Sequence, residues 1–289
     1  MKYPHYDYAI IGGDARQVYL AKELVSSQKK VIHYALMPPH FHHPFLTEAQ
    51  TLIEAIHFSS CVICPIPLTK NKAALNQTAL PAPLSPTTLL QELQEGQCFF
   101  AGCIPEDFCK KVREKNVFVY DLMKNESFTI YNTIATAEGA ICEAIQNSPQ
   151  NLHHSQCAVL GYGRCGRTLT NYLKGMFCQV FVASNQEEER SVAHTISDIV
   201  GSLDDFYQHA MDFDFIFNTI PAQILTEPIL SKLKPSVTIM DIASKPFGVD
   251  YKAASRLNLN AIRCPGLPGK YSPSSSAKAM KKIIEENQK

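Results

Sequence analysis

No charge of either sign predominates in this sequence: Lys plus Arg and Asp plus Glu each number 27 among 289 residues. That balance removes any electrostatic reason to expect nucleic acid or an acidic membrane as a partner. No apolar run approaches the roughly 20 residues needed to span a bilayer. The start, Met1-Lys2-Tyr3-Pro4-His5-Tyr6-Asp7, is polar, so no secretory leader is expected. A G-x-S-x-G nucleophile elbow is missing, as are low-complexity tracts and repeats of solenoid period. His40, His42 and His43 have no Cys or carboxylate at ligand spacing, so they predict a solvated loop and no metal. The ten cysteines sit mostly in apolar runs, where reduced cysteine packs as a small hydrophobe, and a cytosolic protein with free thiols is expected. Cys61 and Cys64 have redox spacing but lie within an apolar strand, which favours core packing.

What is present centres on Gln156 to Leu169. An apolar run ends at Gly161, and Gly161, Gly163 and Gly166 follow the G-x-G-x-x-G spacing before a helical pattern (Leu169, Tyr172, Leu173, Met176) begins. The first glycine permits a tight turn, the second lets backbone approach a pyrophosphate, and the third allows helix to pack on strand. Gly161, Tyr162, Gly163, Arg164, Cys165 and Gly166 are therefore the predicted dinucleotide loop, with the helix start offering its N–H groups to phosphates.

Short apolar runs alternate with helical patterns along the whole chain, which predicts α/β architecture with two doubly wound parallel sheets (Rossmann-like domains) flanking a cleft. The expected division is an N-terminal substrate-side domain over 1–130, a bridging helix within 131–150, and a dinucleotide-binding domain over 151–270. Ser272-Pro273 reads as the cap and first residue of a last helix that returns to the first domain, so 271–289 is grouped with it. Thr47 is read as the cap of a helix carrying Ala49, Leu52, Ile53 and Ile56. Prolines 65, 67, 81, 83 and 86 bracket a loop long enough to suggest a function.

The second strand of the later domain ends Ala183-Ser184-Asn185, with no Asp or Glu to take a ribose 2′-hydroxyl. A carboxylate would repel a 2′-phosphate, so its absence leans towards NADP over NAD, with Ser184 and Asn185 as donors and Arg164 or Arg190 as charge. Thr219-Ile220-Pro221 and Asp241-Ile242-Ala243 end two further predicted strands, on the side where open sheets bind ligands. They read equally as strand-to-loop turns. In the first domain, Gly12-Gly13-Asp14-Ala15-Arg16 could offer an anion two backbone N–H groups and an Arg fork, or could be a turn closed by an Arg16–Asp14 ion pair. Tyr131-Asn132-Thr133 is expected to open the bridging helix, with Glu138 one turn on.

These residues together resemble the family of bacterial dipicolinate synthase A chains. The carriers are Ile11 to Gln17, Tyr131-Asn132-Thr133 with Glu138-Gly139, Val159 to Gly166, Asn218 to Pro221, Asp241 to Ser244, and Pro265 to Gly269, in matching order over nearly the whole chain. The resemblance implies an enzyme of spore formation in the mother-cell cytoplasm, forming dipicolinate from a product of the lysine pathway. It also implies that the second component of the synthase, a flavoprotein, is the partner. Lys245 stands where the family has Arg, and the turn after the second cofactor-domain strand also lacks the family's Arg.

The implied substrate is a small dicarboxylate, dihydrodipicolinate or its hydrated precursor, which becomes aromatic by losing a hydride to NADP or NAD and a proton to a base. Two carboxylates call for two cations, and Arg16 and Lys245 are the candidates, with Lys270 third. Gly13, Asn132 and Thr133 complete the expected substrate contacts, and Asp14, Glu138 or water would take the proton. Homo-oligomerisation is left open. Two rivals stand beside this reading: a reductase like shikimate or methylene-tetrahydrofolate dehydrogenase, and a non-catalytic nucleotide-binding subunit. The first needs a cleft-facing Lys–Asp pair, whereas Lys22 falls on a helix.

Overall fold

The computed structural model describes residues 5–71 and 73–288. It divides into two compact units, one holding residues up to 131 together with those from 272 onward, the other holding 132–271.

In the first unit the order is β1 (Tyr6–Ile11), α1 (Ala15–Ser26), β2 (Val31–Tyr34), β3 (Leu46–Glu48), α2 (Leu52–His57), β4 (Ser59–Ile63), α3 (Pro86–Glu92), β5 (Cys98–Ala101), α4 (Glu106–Glu114) and β6 (Phe118–Asp121). The six strands are parallel in the order β3-β2-β1-β4-β5-β6. Side chains alternate between the faces, as strand geometry requires. Ala9 and Ile11 join a core with Ala55, Ile56, Leu89 and Phe99, whereas Tyr8 and Ile10 join another with Leu20, Leu24 and Phe100. Covering both faces of the sheet is what turns its strands into near-continuous apolar runs. Each fully buried Phe or Ile contributes about 1.5–3 kcal/mol relative to exposure.

Helix α5 (Glu126–Asn147) carries the chain across the boundary at residue 131. The second unit continues with β7 (Gln156–Leu160), α6 (Arg164–Gly175), β8 (Gln179–Ala183), α7 (Glu187–Ala193), β9 (Ile199–Gly201), α8 (Leu203–Gln208), β10 (Phe215–Asn218), α9 (Glu227–Leu230), β11 (Thr238–Asp241), α10 (Tyr251–Arg256), β12 (Asn260–Arg263) and α11 (Leu267–Tyr271). Its six parallel strands run β12-β11-β10-β7-β8-β9, the same winding read from the other edge. Cys157 and Val159 face one core with Phe215 and Phe217, while Ala158 and Leu160 face the other with Ile216 and Ile239. In each unit the strand order reverses beside the first strand, at β1/β4 and at β7/β10, which is where doubly wound sheets take ligands.

The last helix, α12 (Pro273–Asn287), belongs to the first unit. Ser272 is its cap residue and Pro273 its first residue, and Ala277, Met280, Ile283 and Ile284 complete the core against α1.

Two local expectations are corrected. Thr47 lies in the short edge strand β3, and the cap of α2 is Thr51, whose hydroxyl accepts the Glu54 N–H at 3.1 Å. Tyr131-Asn132-Thr133 does not open a helix, because α5 begins at Glu126 after Asn125, whose side-chain oxygen accepts the Phe128 N–H at 2.9 Å. Within the proline-bracketed loop, Ile66, Leu68 and Leu75 are buried. All ten cysteines are free thiols, and burial drives the Cys61 and Cys64 thiols above their ordinary range. Among the described residues no helix is long and apolar enough to cross a membrane, and no group of His, Cys, Asp and Glu could hold a metal ion.

Candidate functional site

The two glycine turns at the sheet reversals differ in one respect that decides between them. In the first unit the turn is filled by its own chain. Gly12 N–H donates to the Tyr34 carbonyl and Gly13 N–H to that of Asn76, both at 2.9 Å. A Cβ on Gly12 would lie 3.0 Å from Cβ of Gln77 and 3.2 Å from the Asn76 carbonyl oxygen. The two N–H groups that the sequence offers to an anion are therefore spent, and Gly13 is buried. Two of the three Arg16 guanidinium nitrogens are engaged as well: Nε and Nη2 fork onto the Asp14 carboxylate at 2.9 and 2.8 Å, and Nη2 also reaches the Ile66 carbonyl. Asp14 in turn caps α1, accepting the Arg16 N–H, while Gln17 accepts the Asp14 N–H. The Arg16–Asp14 ion pair is present in this turn, with Arg16 only 4% exposed.

In the second unit the turn is open. Gly161 has φ +88°, a left-handed conformation that glycine adopts without strain, and its N–H donates to the Ala183 carbonyl at 2.8 Å. Gly166 packs so tightly that a Cβ there would lie 2.1 Å from the Gly161 carbonyl oxygen. At Gly163 a Cβ would meet only Glu189 Oε1, at 4.0 Å, and Gly163 and its neighbour Arg164 are exposed. Helix α6 starts here with no side chain capping it. Tight turn, open backbone and close helix packing fit a dinucleotide pyrophosphate laid against the helix start. Tyr162 contributes backbone only, since its ring is buried in the core with Arg167 5.7 Å from the ring centre. Cys165 is half-buried, and burial raises its thiol above the ordinary range.

Two flanking turns hold this loop in place. Thr219 donates from both its N–H and its hydroxyl to the Leu160 carbonyl, at 2.9 and 2.8 Å. Ile220 N–H donates to the Asn218 side chain at 3.1 Å, and Pro221 is exposed. Asp241 is fully buried and accepts from Asn218 Nδ2, Gly248 N–H and Tyr251 Oη, each at 2.9 Å. Its carboxylate is thus the anchor of the 242–248 turn, with Ala243 buried, Ile242 half-buried and Lys245 exposed. Arg263 lies across the rings of Phe247 and Tyr251, at 4.6 and 4.2 Å from their centres, and braces the same turn. Neither Asn218 nor this bracing role of Asp241 could be read before the strands were placed side by side.

The remaining predicted site residues are placed as follows. Thr133 is buried, its hydroxyl 2.7 Å from that of Thr168, while the Asn132 carbonyl accepts from Thr136 within α5. Glu138 is exposed and accepts from Tyr172 Oη at 3.3 Å. Lys270 is paired at 2.5 Å with Glu143, a largely buried carboxylate on α5. Burial raises the Glu143 pKa, but hydrogen bonds from Lys270 and Asn147 outweigh it and leave the group below its ordinary range. Ser184 is buried, its hydroxyl donating to Glu189 at 2.6 Å and accepting the Gln186 N–H. Asn185 is exposed and accepts the Leu203 N–H at 3.2 Å.

Comparison with known proteins agrees with this assignment of the two units. Residues 7–123 match the model of the N-terminal domain of the dipicolinate synthase A chain, and residues 127–247 match that of the NAD binding domain of D-isomer specific 2-hydroxyacid dehydrogenases. The dipicolinate synthase A chain of Bacillus subtilis is 27% identical over 282 residues, covering 96% of this chain and 94% of the relative. The crystal structure of a dipicolinate synthase A chain from Bacillus subtilis is 25% identical, with a TM-score of 0.80 over 97% of this chain and 95% of that one. Its counterpart from Bacillus halodurans shares the fold, at 23% identity and a TM-score of 0.83 over 97% of each chain. The open glycine turn and the matched dehydrogenase domain make the chain a dehydrogenase-type oxidoreductase that uses a nicotinamide cofactor. Its resemblance to the dipicolinate synthase A chain, carried by motifs in both units, holds over nearly the whole length of the protein.

Proposed function

We propose that this chain is the oxidoreductase component of a dipicolinate synthase, converting dihydrodipicolinate or its hydrated precursor to dipicolinate in the mother cell of a sporulating bacterium. The flavoprotein component of that synthase is its partner in this reading. The observation that carries it is the contrast between a glycine turn left open at Gly163 and one filled by its own chain at Gly12 and Gly13. One unit is thereby equipped for a dinucleotide and the other released for a different task, here the substrate side.

When bound, the nicotinamide accepts the hydride lost as the ring becomes aromatic. The protein then has to hold carboxylates and take up a proton. Arg16 and Lys245 are the proposed carboxylate anchors, with Lys270 third because its ammonium already serves Glu143. With two of its nitrogens held by Asp14 and Ile66, the Arg16 guanidinium is fixed in orientation, and Nη1 is the nitrogen left to meet a ligand. Asp14 is a positioning residue in this scheme, since both its oxygens are committed to Arg16 and the helix cap. Glu138, exposed and steered by Tyr172, is the proposed proton acceptor. Gly13, Asn132 and Thr133 complete the substrate side in this reading.

Titration with reduced nicotinamide nucleotide, then single-turnover absorbance of the protein loaded with oxidised nucleotide and mixed with freshly formed dihydrodipicolinate, tests the reading with and without the flavoprotein component. Reduction of the nicotinamide with release of dipicolinate is the expected result. Tight nucleotide binding without turnover under either condition would instead favour a non-catalytic, nucleotide-binding role.

A further inference from the structure

The end of β8 carries no acidic residue, and on sequence that points towards a phosphorylated ribose. The fold supplies the missing carboxylate from elsewhere. Glu189 is the third residue of α7, a position from which a Glu side chain reaches back past the helix start. Its Oε2 accepts the Tyr162 N–H at 3.1 Å and the Ser184 hydroxyl at 2.6 Å. Its Oε1 is the atom nearest to the open face of Gly163, 4.0 Å from the Cβ position. The carboxylate thus stands between the glycine turn and the end of the second strand of its sheet, where a doubly wound domain seats the ribose of the adenosine half.

Resting on the nicotinamide reading of this loop, we propose that Glu189 reads the ribose 2′ position, accepting a hydrogen bond from a free hydroxyl and repelling a phosphate, so that the chain takes NAD in preference to NADP. Two of the groups that the sequence offers to a 2′-phosphate, Ser184 and Arg190, are otherwise engaged. The Ser184 hydroxyl is donated to Glu189 itself, and Arg190 Nη1 donates to the Ser184 carbonyl at 2.8 Å. Arg190 is therefore turned onto backbone beside the carboxylate, where it steadies the strand end. A phosphate brought here would add about two negative charges next to an existing one.

The test is equilibrium titration of the full-length chain with NADH and with NADPH, followed by the fluorescence of the reduced nicotinamide and needing no turnover. Wild-type protein is expected to bind NADH about tenfold or more tightly than NADPH. Glu189→Gln should weaken NADH, strengthen NADPH and bring the two within about threefold, whereas Glu189→Asp, which keeps the charge, should retain the preference. Thermal unfolding of each variant verifies that the loop is still folded. Tighter binding of NADPH by the wild type, or a preference unmoved in a folded Glu189→Gln protein, overturns the assignment while leaving the nicotinamide reading intact. Loss of NADPH binding on Arg190→Ala with no effect of Glu189→Gln would also overturn it and give the role to Arg190. Binding of neither nucleotide by wild-type protein would sink both readings at once.

Discussion

The carbonyl oxygen of Gly161 lies 2.1 Å from where a Cβ on Gly166 would stand, so α6 and the turn after β7 touch backbone to backbone. Two substitutions in this one loop should therefore fail differently. Gly166→Ala forces the helix off the strand and is expected to cost about 1–3 kcal/mol of stability, read as a lower urea midpoint. Gly163→Val places its side chain in open space at φ −69° and should leave that midpoint within about 0.5 kcal/mol of wild type. Nucleotide binding should nevertheless be abolished, because the methyl groups occupy the approach to the backbone. Undiminished binding by Gly163→Val would remove the loop from the cofactor site.

Asp241 gathers three donors around one buried carboxylate. Asp241→Asn sets an amide donor against them and is expected to destabilise the second unit by about 2–3 kcal/mol. The Tyr251 hydroxyl, raised by burial and by its bond to Asp241, should return towards the ordinary tyrosine range in the variant. Tyrosine absorbance in an alkaline titration reads this directly.

Lys270 has two roles to separate. Its pair with Glu143 is structural, and since the lysine side chain is 57% exposed the pair contributes about 1 kcal/mol at most. Lys270→Met should lower the melting temperature slightly by leaving Glu143 without its cation. If Lys270 also holds substrate, the substrate KM rises while the nucleotide Kd stays fixed. A change in melting temperature alone would confine the residue to structure.

His33, on β2, is 5% exposed, and its Nδ1 has no partner among the described residues. Burial lowers its pKa, with Glu48 opposing. The unfolded chain then binds the proton more readily than the folded one, so stability is full above the ordinary histidine value of about 6.5 and falls as pH drops below it. The slope can reach about 1.4 kcal/mol per pH unit. Urea unfolding at about pH 7 and about pH 5.5 should show this loss in the wild type and a flatter profile in His33→Asn. Equal slopes in the two proteins would show that His33 titrates alike in both states.

Both sheets and the glycine loop were legible because they rest on local pattern: apolar strands near Tyr8, Val159 and Phe217, each followed by a helix. Edge strands β3 and β9 were missed because each has only three residues, too few for alternation to register. The start of α5 is not legible because the polar Tyr131-Asn132-Thr133 resembles a helix opening, whereas Asn125 is the residue that engages the first-turn N–H. At the site, side-chain reach was the hidden quantity. Glu189 lies five positions beyond Ser184 yet bonds to it, and the Glu at the third position of a helix was the available signal. Asp14 and Arg16 were recognised as a pair that could close on itself, and only coordinates could choose between that and a ligand.

Helix α12 supplies Ala277, Met280, Ile283 and Ile284 to a core whose other members are made at the opposite end of the chain. During synthesis the first sheet must therefore wait, with Leu20, Leu24 and Val25 uncovered, until residue 284 has left the ribosome. The second unit, continuous from 132 to 271, is complete before that moment. Birth order and folding order are thus inverted in this protein, and the half translated first is the one a chaperone would have to shelter longest.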